Sequence, residues 1–279
     1  MKGPKFLNPE DYMDSAFPAG CCSCGNESDE RAIPQQRVME KLDSHLSRND
    51  YEAAERHLLY WMSEADRIKD LRGQLMVSNE LIGLYRKTGK QIEAYAYAEK
   101  ALSLLKEMDY EESVSAGTTY VNAATAYNAF GEQKKAIELY EKARAIYEGN
   151  PAVPAHLRGG LYNNMALSCK ALGRYDEAFA LYEQAMQAMA EVPGGVLEQA
   201  ITCLNMADAV AAQQGLEAGE ARISELLDRA QTLLQDPSAP RNGYYAFVCE
   251  KCAPVFDYYG YFLTAAELRE EAGKIYDRA

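Results

Sequence analysis

Leu172-Gly173-Arg174-Tyr175-Asp176-Glu177-Ala178 joins two apolar segments of helical periodicity, and its grammar recurs upstream. It returns in Phe130-Gly131-Glu132-Gln133-Lys134-Lys135-Ala136 and in Thr88-Gly89-Lys90-Gln91-Ile92-Glu93-Ala94. Gly89, Gly131, Gly173 and Gly215 are spaced 42 residues apart. Self-similarity at a fixed period marks stacked repeats, in which each unit buries its apolar face only against neighbours. A second Ala follows at Ala101, Ala143 and Ala185, and Tyr140 and Tyr182 fall between the paired alanines, all on one helical face. Small residues are needed there because two antiparallel helices joined by a glycine turn touch only where one side lacks bulk. The aromatics then fill the wider space between pairs.

The pattern continues less purely at both ends. Asn49-Asp50-Tyr51-Glu52-Ala53-Ala54 carries Asn in place of Gly, and Gly260-Tyr261-Phe262-Leu263-Thr264-Ala265 is followed by Ala272. Six helix-turn-helix units are therefore expected, at about 35–68, 69–108, 111–149, 152–191, 195–235 and 240–279. In the fifth, Gly215-Leu216-Glu217-Ala218-Gly219 predicts a lengthened turn, with an insertion of three residues that moves the next Ala to Ala230. In the sixth, Pro254 falls inside the first helix and predicts a kink or break there. Residues 1–34, rich in Pro, Gly, Ser, Asn and acidic side chains, predict an extended or disordered leader.

The set Gly173, Tyr175, Ala178, Tyr182 and Ala185 resembles the tetratricopeptide repeat (TPR) motif, and the resemblance covers roughly residues 35–279. The period exceeds the usual length of about 34 residues, which adds about one turn to each helix. It looks like the long-repeat type found in kinesin light chains and bacterial TPR peptide receptors. The resemblance implies an all-α, right-handed superhelical solenoid of about six repeats, with the first helix of each pair lining a concave groove. HEAT repeats, at about 40–47 residues, are the structural alternative, but they lack the Gly-x-Tyr-x-x-Ala turn.

Composition narrows the function classes. The chain is 48% hydrophobic and 25% charged, ordinary for a folded protein. Its 29 Lys and Arg stand against 42 Asp and Glu, a net charge of −13 that repels a phosphate backbone and argues against a nucleic-acid partner. No run approaches the roughly 18 apolar residues that span a bilayer, and Pro4, Pro9, Glu10, Asp11 and Asp14 are unlike a signal peptide. No membrane association is expected, and a cytoplasmic location is. Pro18-Ala19-Gly20-Cys21 superficially matches a lipoprotein cleavage box but lacks the apolar stretch before it.

Catalytic motifs do not assemble. His45, His57 and His156 have neither zinc-site spacing nor a nucleophile beside them. Gly83 to Gln91 looks like a phosphate loop but has five residues between its glycines and ends in Gln91. Glu138, Glu141 and Lys142 alternate as on a solvated helix face. Neither enzyme activity nor a cofactor is expected. Cys22 and Cys24 with Cys249 and Cys252 offer four thiolates to a zinc ion, yet the two pairs lie far apart along the array. The alternative reading makes Cys169, Cys203, Cys249 and Cys252 core hydrophobes and Cys21, Cys22 and Cys24 exposed thiols.

The first helices carry a recurrent amide. Asn79, Asn122, Asn164 and Asn205 stand ten, nine, nine and ten residues before their glycines, with Asn163 beside Asn164. Asn is a mediocre helix former, and its side chain both donates and accepts, so it can bracket a peptide bond of an extended ligand. The resemblance implies this role for Asn122 and Asn164 and, one register off, for Asn79 and Asn205. The same asparagines can instead bond neighbouring repeats. Arg86, Lys87 and Lys170 add positive charge on those helices, suited to an acidic segment or a terminal carboxylate. Phe247, Phe256, Tyr258, Tyr259 and Tyr261 suggest an apolar end-cap and a homodimer through terminal repeats. The leading expectation is an adaptor binding an extended peptide. The alternatives are a peptide-sensing regulatory module and a Cys-based metal or thiol protein.

Overall fold

Gly89 adopts φ 74°, the left-handed conformation that closes a helix at no cost only in glycine. Behind it the Lys90 N–H reaches back to the Tyr85 carbonyl at 2.9 Å, capping the helix end. The same closure recurs at Gly131, Gly173 and Gly260, where Glu132, Arg174 and Tyr261 donate to Tyr127, Cys169 and Phe256. Asn49 takes it with φ 55°, as a short polar side chain can. Between pairs, Lys69 and Asp109 occupy the same region without glycine.

These turns organise a computed structural model that describes residues 32–277. Among the described residues there are twelve helices and no strand, in two units, 32–153 and 154–277. The first unit contains the pairs α1 (Gln35–Leu46) with α2 (Tyr51–Ile68), α3 (Leu71–Thr88) with α4 (Gln91–Glu107), and α5 (Val114–Ala129) with α6 (Gln133–Gly149). The second contains α7 (Ala155–Ala171) with α8 (Tyr175–Ala190), α9 (Val196–Gln214) with α10 (Leu216–Leu234), and α11 (Gly243–Tyr258) with α12 (Phe262–Tyr276). The fold is all-α, built from six helix pairs. The cysteines at 21, 22 and 24 and nearly all of the expected leader lie outside the described residues. Ile33, assigned to that leader, belongs to the fold: its side chain is buried and its N–H donates to Asp70 Oδ2 at 2.9 Å. Asp70 also caps α3 through the Gly73 N–H, and its carboxylate sits where a Cβ on Gly73 would be.

The alanines predicted to permit close approach are buried: Ala94, Ala101, Ala136, Ala143, Ala178 and Ala185 are all 0% exposed. A second small position escaped the sequence reading. A Cβ on Gly117 would fall 2.4 Å from the Tyr147 ring, and one on Gly159 would fall 2.7 Å from Met189 Cε. The two contacts are 42 residues apart on both sides, one knob-and-hole device used twice.

Two local expectations are corrected. The turn at Gly215 is not lengthened; Gly215 alone separates α9 from α10. The additional residues lie in α10, which has 19, and Gly219 takes the small position against Val210. Helix hydrogen bonding absorbs an insertion there at less cost than a longer unpaired turn. Pro254 does not break α11, which runs through it. Pro254 and Glu250 both lie on the exposed face, so the carbonyl deprived of its donor is open to water.

In the first unit α3 touches α5 directly, though α1 and α3 make at most marginal contact, and in the second α9 touches both α7 and α11. The second helices of successive pairs make at most marginal contact. The closer layer lies on the inside of each unit's curve, so first-helix side chains face inward.

Candidate peptide-binding surface

Asn79 is fixed in one orientation by its neighbours. Its amide nitrogen donates to the Leu75 carbonyl at 3.1 Å and to Thr119 Oγ1 at 3.0 Å. A backbone carbonyl only accepts, so the side-chain oxygen of Asn79 must point elsewhere, and it accepts from Asn122 Nδ2 at 3.0 Å. Asn79 thereby uses both N–H groups and its oxygen. Asn122 uses one N–H, while its Oδ1 and second N–H engage no described residue. Both residues are half-buried on the inner layer formed by α3 and α5.

The second unit treats its asparagines differently. Asn205 Nδ2 donates to Asn163 Oδ1 at 3.4 Å, which ties α9 to α7. Asn163, Asn164 and Asn205 are 2%, 1% and 3% exposed, so none presents an amide to solvent. An Asn-to-Asn bond between adjacent first helices is present in each unit, and in the first the amides are half-buried where in the second they are buried.

The expected cations separate in the same way. Arg86 is half-buried and Lys87 exposed near the end of α3, and Lys87 Nζ lies 5.4 Å from the Tyr51 ring centroid. Lys170, expected to offer charge to a ligand, is buried and paired with Asp208. Burial pulls its amine below the usual lysine range, and Asp208 opposes that shift by attraction. Asp208 was missed by the sequence reading. The signal was available, since it stands 38 residues beyond Lys170, one repeat less one turn.

Cys249 and Cys252, with Cys169 and Cys203, are buried and form no disulfide. Burial pushes the thiols of Cys249 and Cys203 up, to about 12 and about 11, as packing among apolar side chains does. Among the described residues no group of His, Cys, Asp and Glu is arranged to hold a metal ion, and no helix is long and apolar enough to cross a membrane. The proposed apolar end-cap also changes membership. Phe256 is a core residue at 0% exposure, whereas Phe262 and Leu263, the first residues of α12, are exposed.

A family model described as tetratricopeptide repeat matches residues 74–149 and 157–235, more than half of the chain. The chain belongs to the tetratricopeptide repeat family. The matched spans begin within α3 and end at α10, so the TPR signature is carried by the central pairs and weakens toward both ends. Among solved structures, it is similar to a Podosopora anserina protein described as a kinesin light chain with nearly identical TPR-like repeats. That match has 21% identity and a TM-score of 0.50 and covers 74% of this chain and 96% of that one. It is also similar to BtubC (BKLC) from P. vanneervenii, with 19% identity, a TM-score of 0.51, and coverage of 88% and 92%. At these identities the likeness shows the fold. No curated protein matches the chain. As a TPR array the chain is a scaffold for contact with another protein.

Proposed function

We propose that the protein is an adaptor that holds an extended peptide segment across α3 and α5 of its first unit. The observation that supports this is the state of Asn122, a half-buried amide oriented by Asn79, with a donor and an acceptor uncommitted among the described residues. Such an amide matches the N–H and C=O of one peptide bond and is indifferent to side-chain identity. Arg86 stands two helical turns from Asn79 on the same face and favours an acidic residue or a terminal carboxylate in the ligand. The role is that of a binding module, located where the protein faces other cytoplasmic components.

The test is selection of binders from a library of unstructured peptides, followed by anisotropy titration of the best. Asn122→Ala is expected to weaken binding about tenfold, the size of one lost hydrogen bond to a bound peptide. Asn205→Ala should leave affinity unchanged and lower stability instead. Equal binding by the native protein and the Asn122→Ala variant would remove the proposal.

A further inference from the structure

Glycine is the least favourable helix residue after proline, because it surrenders the most backbone freedom on folding. Inside a helix it calls for a reason, and most glycines of these helices have one in the fold. A Cβ on Gly73 would fall on the Asp70 carboxylate, one on Gly117 on the Tyr147 ring, one on Gly159 on Met189, and one on Gly219 on Val210. Each makes room for a neighbour. Gly83 does not: it stands more than a turn from either end of α3, and a Cβ there meets nothing within 4 Å among the described residues. Gly160 and Gly273 share that openness, but Gly160 is buried and Gly273 lies in the last turn of α12.

The repeat frame does not ask for glycine at this position either. One, two and three periods further on it is Thr125, Leu167 and Ala209, all buried. Gly83 is instead half-exposed on the inner layer. It falls four residues after Asn79 and three before Arg86, so the three share one helical stripe, with bare backbone between the fixed amide and the cation. Asn122, with its donor and acceptor uncommitted among the described residues, is bonded to Asn79 at one end of that stripe. A side chain missing at such a place removes the bulk that would hold a ligand's main chain away from the helix.

We propose that the extended peptide enters at Asn122 and lies along α3, with its main chain seated on Gly83 and its acidic group at Arg86. The proposal rests on the adaptor reading and fixes the course of the ligand. Asn79 and Arg86 are seven residues apart, about 10 Å along a helix axis, which an extended chain covers in about three residues. The partner is therefore a segment with an acidic residue, or its carboxyl terminus, about three residues from the peptide bond that Asn122 brackets.

The test uses fluorescein-labelled peptides selected on the native protein from an unstructured library, titrated by anisotropy against Gly83→Ala and Gly83→Leu. With open space at Gly83 both variants fold. Gly83→Ala is expected to raise the thermal unfolding midpoint by about 2 °C while weakening binding about tenfold, and Gly83→Leu to weaken it at least about a hundredfold. Stability gained with binding lost separates a seat for a ligand from a place in the core. A lowered midpoint for Gly83→Ala, or binding by both variants equal to that of the native protein, would overturn the proposal. Peptides that lose affinity with Asn122→Ala yet ignore Gly83→Leu would leave the adaptor reading standing and remove this inference alone. Peptides indifferent to both substitutions, or a library that yields no binder, would remove both.

Discussion

The pair α5–α6 and the pair α7–α8 stand one repeat apart and share their packing frame, yet they handle polar groups in opposite ways. Gly117 and Gly159 receive Tyr147 and Met189; Tyr140 and Tyr182 are both 0% exposed. In α5–α6 the Tyr140 hydroxyl lies 3.0 Å from Thr125 Oγ1, whose own proton goes to the Val121 carbonyl at 2.8 Å. In α7–α8 the position equivalent to Thr125 is Leu167, and the Tyr182 hydroxyl is buried with no partner among the described residues. One repeat keeps neutral polar groups and a reachable inner face. The other buries its inner helix together with the pair Lys170–Asp208. Shape is repeated strictly because each helix must fit its neighbour, whereas a polar contact needs only a local partner and drifts from repeat to repeat.

The largest effect expected from breaking this contrast is at Asp208. Asp208→Asn leaves Lys170 buried without its counter-charge and should cost about 3 kcal/mol in denaturant unfolding. Replacing both residues, Lys170→Met with Asp208→Leu, should recover most of that loss. The pH dependence has a defined sign. The folded-state amine titrates below its ordinary value, so the unfolded chain binds more protons between that lowered value and the ordinary 10.5, and stability contributed by this group rises with pH through that window. The deficit of Asp208→Asn should therefore shrink as pH increases toward 10.5, and a deficit independent of pH would show that charge burial is not its cause.

Next in size is the shared glycine. Gly117→Ala drives a methyl into a rigid aromatic ring and should cost about 2 kcal/mol. Gly159→Ala meets the far end of a flexible Met189 and should cost less than half as much, measured by thermal or urea unfolding. Equal costs would mean that the two sites are relieved by backbone movement instead. The smallest effect sharpens the comparison at the tyrosines. Tyr140→Phe should cost about 1 kcal/mol through loss of its hydroxyl bond to Thr125, while Tyr182→Phe should be neutral or stabilising, since it removes an unbonded buried hydroxyl.

Much of the fold was legible from the chain. The glycine spacing marked turns whose closure depends on φ and little else, and the alanine positions marked contacts that any bulk would prevent. The knob-and-hole position at Gly117 and Gly159 was hidden because its large partner alternates between Tyr and Met. Pro254 and the Gly215 turn were misread because local preference yields to surroundings: an exposed face hydrates the freed carbonyl, and a helix extends when its added turn finds packing. The candidate site was half legible. The asparagine register was visible, but burial is a property of several helices together, and it divided Asn79 and Asn122 from Asn163, Asn164 and Asn205.

The sequence by itself determined that the chain folds as six helix pairs on a 42-residue frame, because the frame is set by backbone conformation at glycines and steric fit at alanines, both local and periodic. Only the tertiary structure decided which polar side chains bond one another, which remain available to a partner, and that Lys170 serves the interior. Those outcomes depend on what stands opposite each residue across a helix interface, a relation that spacing along the chain does not contain.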